Sequence, residues 1–228
     1  MLEVTDLRFR YPLDRGSPFE LRTSAFSVAS GGTLALIGPS GCGKSTLLSL
    51  ISGERVPASG EVRFDRLNIS TASERERRAF RVTTVGLIFQ EFRLIESLSV
   101  LENIVLPCRL HPALPLDASA RRRAGELAER LGIGGLLRRH PHALSHGERQ
   151  RVAVARGLLA KPKLILADEP TGNLDPAGKR RLLDELMLLA REQGAIVIVA
   201  THDHGLLPSF DQVIDLAATG AAASTEGR

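Results

Sequence analysis

Three features of the sequence predict an α/β fold with an open sheet. They are a strand-loop-helix unit built on Gly38-Pro39-Ser40-Gly41-Cys42-Gly43-Lys44-Ser45, three later apolar runs of strand length, and a proline-interrupted, helix-forming segment between them. The run Thr33-Leu34-Ala35-Leu36-Ile37 enters the first unit as a buried strand would, and Ser45-Thr46-Leu47-Leu48-Ser49-Leu50-Ile51 leaves it with helix-compatible apolar content. The loop between them reads G-x-x-x-x-G-K-S, a phosphate-binding pattern. Its glycines let backbone N–H groups turn inward onto anionic oxygens, and the first helical turn adds unpaired donors and a partial positive charge. Lys44 is placed to reach β- and γ-phosphates, and the Ser45 hydroxyl to ligate Mg²⁺.

The chain has 228 residues, enough for one large domain or a core with a smaller appendage, and its 43% hydrophobic content suits a packed core. No apolar run approaches the roughly 18 to 20 residues needed to span a bilayer. Met1-Leu2-Glu3-Val4-Thr5-Asp6 lacks the basic and apolar regions of a signal peptide, so the expectation is a cytosolic protein or one docked on a membrane-embedded partner. With only Cys42 and Cys108, neither a structural disulfide nor a cysteine metal site is expected. A net charge of +4 and a pI near 9.6 permit contact with nucleic acid or acidic headgroups. They argue for neither, because a phosphate site already demands local positive charge.

In chain order, Val4, Leu7 and Phe9 and then Phe19, Leu21, Phe26 and Val28 predict two strands joined by the turn chemistry of Pro12 to Pro18. Tyr11, at the end of the first, suits either stacking of a purine ring or cover for a sheet edge. Pro57 to Gly60 marks a turn, Glu61 to Phe64 a short strand, and Ser73 to Arg81 a charged helix. Thr84 to Phe89 is a second buried strand that delivers Gln90 at its carboxyl end, where open α/β sheets place ligand-binding residues. From Glu91 to Lys161 the composition changes, and Leu116 to Leu131 reads as a helix on which Arg121, Arg122 and Arg123 form a solvated face. Ser145 and Glu148 make an S-x-x-E capping box, so a helix starts at Ser145 and continues with Val152, Ala155 and Leu159 on one face.

Lys163 to Ala167 is a third buried strand ending in Asp168 and Glu169. The first acid suits the hydration shell of Mg²⁺ and the second a general base for water. Thr171 to Pro176 leads into a helix with Leu182, Leu183, Leu186, Leu189 and Ala190 as its apolar stripe. Ala195 to Ala200 is the fourth buried strand and His202 follows it, either as donor to a γ-phosphate oxygen or as a satisfied loop histidine. The segment from Ala217 to Arg228 is small and polar and is expected to fray.

The order of these pieces resembles the nucleotide-binding subunit of ABC transporters over nearly the whole chain. The resemblance is carried by Gly38 to Ser45, Gln90, Leu144-Ser145-His146-Gly147-Glu148 at the signature position, Asp168-Glu169, Asn173-Leu174-Asp175 and His202, with Tyr11 where the adenine stacks. It implies a P-loop NTPase (RecA-like) core with an antiparallel β-subdomain, from residues 1–90 and 162–216. It also implies a helical insertion subdomain, 91–161, ending in the signature helix, and a flexible tail, 217–228. ATP and Mg²⁺ are the implied ligands. Tyr11, Gly38 to Thr46, Ser145, Gly147 and Glu148 would hold the nucleotide, and Ser45, Gln90 and Asp168 the metal. Glu169, His202, Gln90 and Lys44 would carry hydrolysis. Two subunits would meet head to tail, most simply as a homodimer, with integral membrane permease subunits in trans at the inner face of the cell membrane and no nucleic acid.

Phe89 to Ile95, Leu101 to Pro107 and Asp168 to Asp175 look most like the lipoprotein-release, macrolide-efflux and cell-division group of that family. The alternative is a soluble ATPase of the same superfamily acting on nucleic acid or ribosomes. Such proteins usually carry two cassettes or a long coiled coil, and this sequence has neither. A small-molecule kinase sharing the phosphate loop leaves the signature and His202 unexplained. The signature departs from Leu-Ser-Gly-Gly-Gln at His146 and Glu148, and an imidazole in place of a glycine must either point away from the phosphate or take part.

Overall fold

The computed structural model describes residues 1–11, 19–172 and 174–218. The turn expected at Pro12 to Pro18, Asn173 and the end of the tail lie outside them. The chain opens with β1 (Leu2–Arg10), β2 (Glu20–Thr23) and β3 (Phe26–Val28), so the expected pair of strands is three. Both β2 and β3 pair antiparallel with β1, Leu7 opposite Thr23 and Leu2 opposite Val28. The apolar run of 19–28 is split at Ser24 and Ala25, where the chain runs on in the same register past the irregularity of β1 at Thr5 and Asp6.

Next come β4 (Thr33–Ile37), α1 (Lys44–Ile51), β5 (Ser59–Phe64) and β6 (Leu67–Asn68). The strand expected from Glu61 begins two residues earlier, because Gly60 belongs to a bulge and not to the preceding turn. Register against β1 shifts between Thr5 and Arg8, Asp6 has φ 41°, and Gly60 has φ 83° with the Thr5 and Asp6 carbonyls where a Cβ would stand. The bulge moves the buried set on β1 from Leu2 and Val4 to Leu7 and Phe9, an odd spacing that keeps all four on one face.

Then follow α2 (Glu74–Thr84), β7 (Val85–Ile88), α3 (Val100–Ile104), α4 (Leu106–Leu110), α5 (Ala118–Arg130) and α6 (His146–Leu158). Capping boxes at Ser73, Ser99 and Ser145 start α2, α3 and α6, and Asp117 caps α5. The expected solvated face of Arg121 to Arg123 holds for the first two. Arg123 instead donates from Nε to the Leu159 carbonyl at 2.9 Å, because the end of α6 offers carbonyls without helical partners. The chain closes with β8 (Leu164–Asp168), α7 (Pro176–Arg191), β9 (Ile196–Ala200) and β10 (Gln212–Asp215).

The second sheet is parallel, in the order β10-β4-β9-β8-β7. On β8 and β9, Leu164, Leu166, Ile196 and Ile198 face a core shared with α1 and the antiparallel sheet. Ile165, Ala167, Val197 and Val199 face a second core built from α3, α5, α6 and α7. Burial on both faces is why these strands read as unbroken apolar runs, and each fully buried aliphatic side chain contributes about 1.5–3 kcal/mol. All parallel strand ends therefore open on one edge, which holds the loops after β4, β7, β8 and β9.

The edge strand β10 was not expected, since only Val213 and Ile214 on it are apolar. It is anchored at Asp211, whose Oδ2 accepts from the Thr33 N–H and hydroxyl, each at 2.8 Å. Those donations hold the Asp211 carboxyl below the usual carboxylate range. The stabilisation is complete above the ordinary pKa of 3.8 and is lost as pH falls through the lower folded value. Asp211→Ala is expected to cost about 2 kcal/mol in urea unfolding at pH 7, by stranding the buried Thr33 donors. The gap to wild type should narrow below about pH 4.

Candidate functional site

Residues 38–43 connect β4 to α1, and the helix begins at Lys44 because Gly43 supplies a left-handed cap, φ 105°. A Cβ at Gly43 would stand 2.9 Å from both Leu21 and Phe19, so the antiparallel sheet presses directly on this loop. Lys44 is buried, and its Nζ donates to the carbonyls of Gly38 (2.7 Å) and Pro39 (3.2 Å). The ammonium thus lies across the mouth of the loop, held by carbonyls that an anion would replace. Cys42 is buried with its Sγ against Gly38, inside the loop and away from the cleft.

A cleft of about 390 Å³ opens over the loop, and its lining includes Ser40, Gly41, Gly43, Lys44, Ser45 and Thr46. Gln90 after β7, Asp168 at the end of β8, Glu169, and His202 after β9 complete its polar wall. Tyr11 and Phe19 form the aromatic end. The Tyr11 hydroxyl lies 3.0 Å from Thr46 Oγ1, and its ring meets Phe9 edge to face at 5.0 Å. Arg55 stands over the Tyr11 ring at 4.7 Å, within cation–π range.

Glu169 has φ 47°, an uncommon conformation held by its N–H donating to the Ala200 carbonyl at 2.9 Å. Its carboxylate oxygen Oε1 lies 2.9 Å from His202 Nδ1. His202 itself is exposed, whereas Glu169 is 8% exposed. The next residue, Asp203, pairs with Lys179 Nζ at 2.8 Å, which holds its carboxyl below the usual range and ties the His202 loop to α7.

Ser45, Gln90 and Asp168 bring a hydroxyl, an amide and one carboxylate to the same cleft. Among the described residues no group of three His, Cys, Asp or Glu side chains forms a metal cage. That oxygen donor set fits a hard cation shared with phosphate oxygens, as Mg²⁺ usually is.

Ser145, Gly147 and Glu148 do not line this cleft. They form the start of α6, where the Ser145 N–H donates to Glu148 Oε2 at 2.7 Å. That donation, with the Ser145 hydroxyl, keeps the Glu148 carboxyl below its usual range. Glu148 is therefore already committed to the cap. The His146 ring turns onto Phe92, edge to face at 4.6 Å. Gly147 faces Leu174, whose Cδ2 would lie 2.9 Å from an added Cβ.

Phe19 and Arg55 were not singled out from the sequence as site residues. Nothing local marked either, since Phe19 lies 19 residues before Gly38 and meets the loop only in the fold.

A family model described as ABC transporter matches residues 21–172. An uncharacterized ABC transporter ATP-binding protein from Methanocaldococcus jannaschii is 40% identical over 95% of this chain and 95% of its own length. One from Mycobacterium tuberculosis is 40% identical over 94% of this chain, which spans only 64% of that relative's length. Among solved structures, a dimeric ATP-binding cassette in a post-hydrolysis state bound to ADP and Pi has a TM-score of 0.85 and 31% identity, with 94% of each chain covered. The cbiO1 protein of Clostridium perfringens, part of the ABC transporter complex cbiONQ, has a TM-score of 0.79 and 31% identity, covering 94% of this chain and 83% of its own.

Proposed function

This chain belongs to the ABC transporter ATP-binding family, with the α/β P-loop NTPase fold of its cassettes, and from that premise we propose that it binds and hydrolyses ATP as one half of a head-to-tail dimer. The observation that carries this reading is the split of the site. Lys44, Ser45, Gln90, Asp168, Glu169 and His202 share one cleft, while the capped start of α6 lies outside it. A second copy would bring its own Ser145 and Gly147 to the open side. Residues 1–90 with 162–216 serve as the nucleotide core in this reading, and 91–161 as the helical subdomain.

The nucleotide base would stack at Tyr11, and the phosphates would take over Lys44 from the Gly38 and Pro39 carbonyls. Ser45, Gln90 and Asp168 would hold Mg²⁺, which when bound neutralises charge on the phosphate oxygens. Glu169 would take a proton from the attacking water, its carboxylate oriented by His202. Lys44 would stabilise the charge developing on the transferred phosphoryl group.

Among the described residues no helix is long and apolar enough to cross a membrane. In this reading the part that receives the force is a membrane permease partner. Its docking place is the groove of about 360 Å³ lined by Leu87, Phe89, Leu106, Pro107 and Leu110, the last 73% exposed. Supported by Phe89 to Ile95, Leu101 to Pro107 and Asp168 to Asp175, the reading extends to the lipoprotein-release and macrolide-efflux type, at the inner face of the cell membrane. Co-expression with candidate membrane permease subunits is expected to change the ATPase rate, and added DNA or RNA to leave it unchanged. The reverse result would transfer the chain to the soluble, nucleic-acid-linked ATPases.

A further inference from the structure

The segment after Gln90 holds two consecutive non-glycine residues in the left-handed region, Phe92 (φ 53°) and Arg93 (φ 48°). Such a pair persists only where its surroundings over-determine it. The surroundings here are the two ends of α6. Arg156, a buried residue near the carboxyl end, donates from Nη1 to the Arg93 carbonyl at 2.6 Å and from Nη2 to the Phe92 carbonyl. At the other end His146 meets the Phe92 ring. The Arg93 guanidinium in turn lies 4.0 Å over the Phe89 ring. Phe89, Arg93 and Arg156 line the apolar groove, and Phe89 and Arg93 also line a cavity of about 100 Å³ that reaches Ser45 and Asp168. Burial, with the nearby Arg93 charge, pushes the Arg156 guanidinium down to about 10, so it still carries its charge at neutral pH.

We propose that Arg156 is a positioning residue for Gln90: by holding Phe92 and Arg93 through both carbonyls, it fixes how β7 delivers Gln90 into the cleft and ties that delivery to α6. The planar fork of arginine suits two adjacent carbonyls, whereas a lysine ammonium on its flexible stem lacks that fixed geometry. Anything that shifts α6 or fills the groove then moves Gln90, two residues from the clamp, without touching nucleotide. The proposal rests on the assignment of Gln90 to the hydrolytic site.

The test is a double-mutant cycle on the full chain, measuring kcat and KM for Mg-ATP in wild type, Gln90→Ala, Arg156→Lys and the double variant. Arg156→Lys is expected to lower kcat about tenfold with KM changed less than about twofold, and to add nothing in the Gln90→Ala background. Additive losses would overturn the proposal alone, since a general loss of structure does not depend on Gln90. Wild-type kcat in Gln90→Ala would overturn the assignment of Gln90 and the proposal with it. If Arg156→Lys does not fold, Phe92→Gly loosens the same turn from the other side and carries the same expectation and the same reversal.

Discussion

Glu169→Gln is expected to yield a chain that binds ATP and dimerises yet turns over about 10³-fold more slowly than wild type, the range spanned when a general base is removed. The substitution is close to isosteric. Its backbone remains pinned by the Glu169 N–H to the Ala200 carbonyl, and His202 Nδ1 keeps an oxygen partner at the same place. What disappears is the negative charge that accepts the proton of water. In the proposed site the nucleotide contacts come from Lys44, Ser45 and Thr46 on another element, so affinity should stay within about twofold. Single-turnover hydrolysis, with size-exclusion chromatography in ATP, separates the two effects. Near-normal turnover would remove Glu169 from the role of base.

The second large effect concerns the split site. Lys44→Ala and Gly147→Asp are each expected to be inactive alone, while an equal mixture regains up to about a quarter of the wild-type rate. The reasoning is geometric. In a head-to-tail pair one mixed site combines both lesions and the other neither, and half of randomly formed dimers are mixed. Lys44→Ala removes the ammonium now resting on the Gly38 and Pro39 carbonyls. Gly147→Asp puts a negative charge at the start of α6, which suits the helix but repels phosphate. Its Cβ meets only the flexible end of Leu174, so the fold should tolerate it. Steady-state ATPase of the two chains, separate and mixed, gives the answer. Mixtures no more active than their parts would exclude a site shared between chains.

The strands were legible because a parallel sheet buried on both faces makes its sequence uniformly apolar, as in Thr33 to Ile37 and Ile196 to Ala200. The capped start of α6 was legible because capping is local, three residues from Ser145 to Glu148, although the same pattern at Ser99, which starts α3, went unread. Where the signal was weak, elements went unseen. The strand β10 is mostly exposed and holds its place through Asp211 and Thr33, which are 178 residues apart. The division of 20–28 into two strands and the early start of β5 both depend on the bulge of β1 at Asp6.

The candidate site divides in the same way. Chemistry types and spacing along the chain picked out Gly38 to Ser45, Asp168 and Glu169, since each sits at a strand end that the sheet topology must bring to one edge, whereas His202 was assigned only through the family resemblance. Arg156 was visible only as a charge inside the apolar run Val152 to Leu159. Its purpose depends on carbonyls 63 and 64 residues away, at Arg93 and Phe92. The sequence by itself therefore determined the fold class, the phosphate loop and the acids at the strand ends, because local backbone physics and burial periodicity write these into short stretches. Only the tertiary structure decided where His146 points, which residue anchors the last strand and what holds the turn after Gln90. Those are contacts between distant segments, formed when two cores close on opposite faces of one sheet.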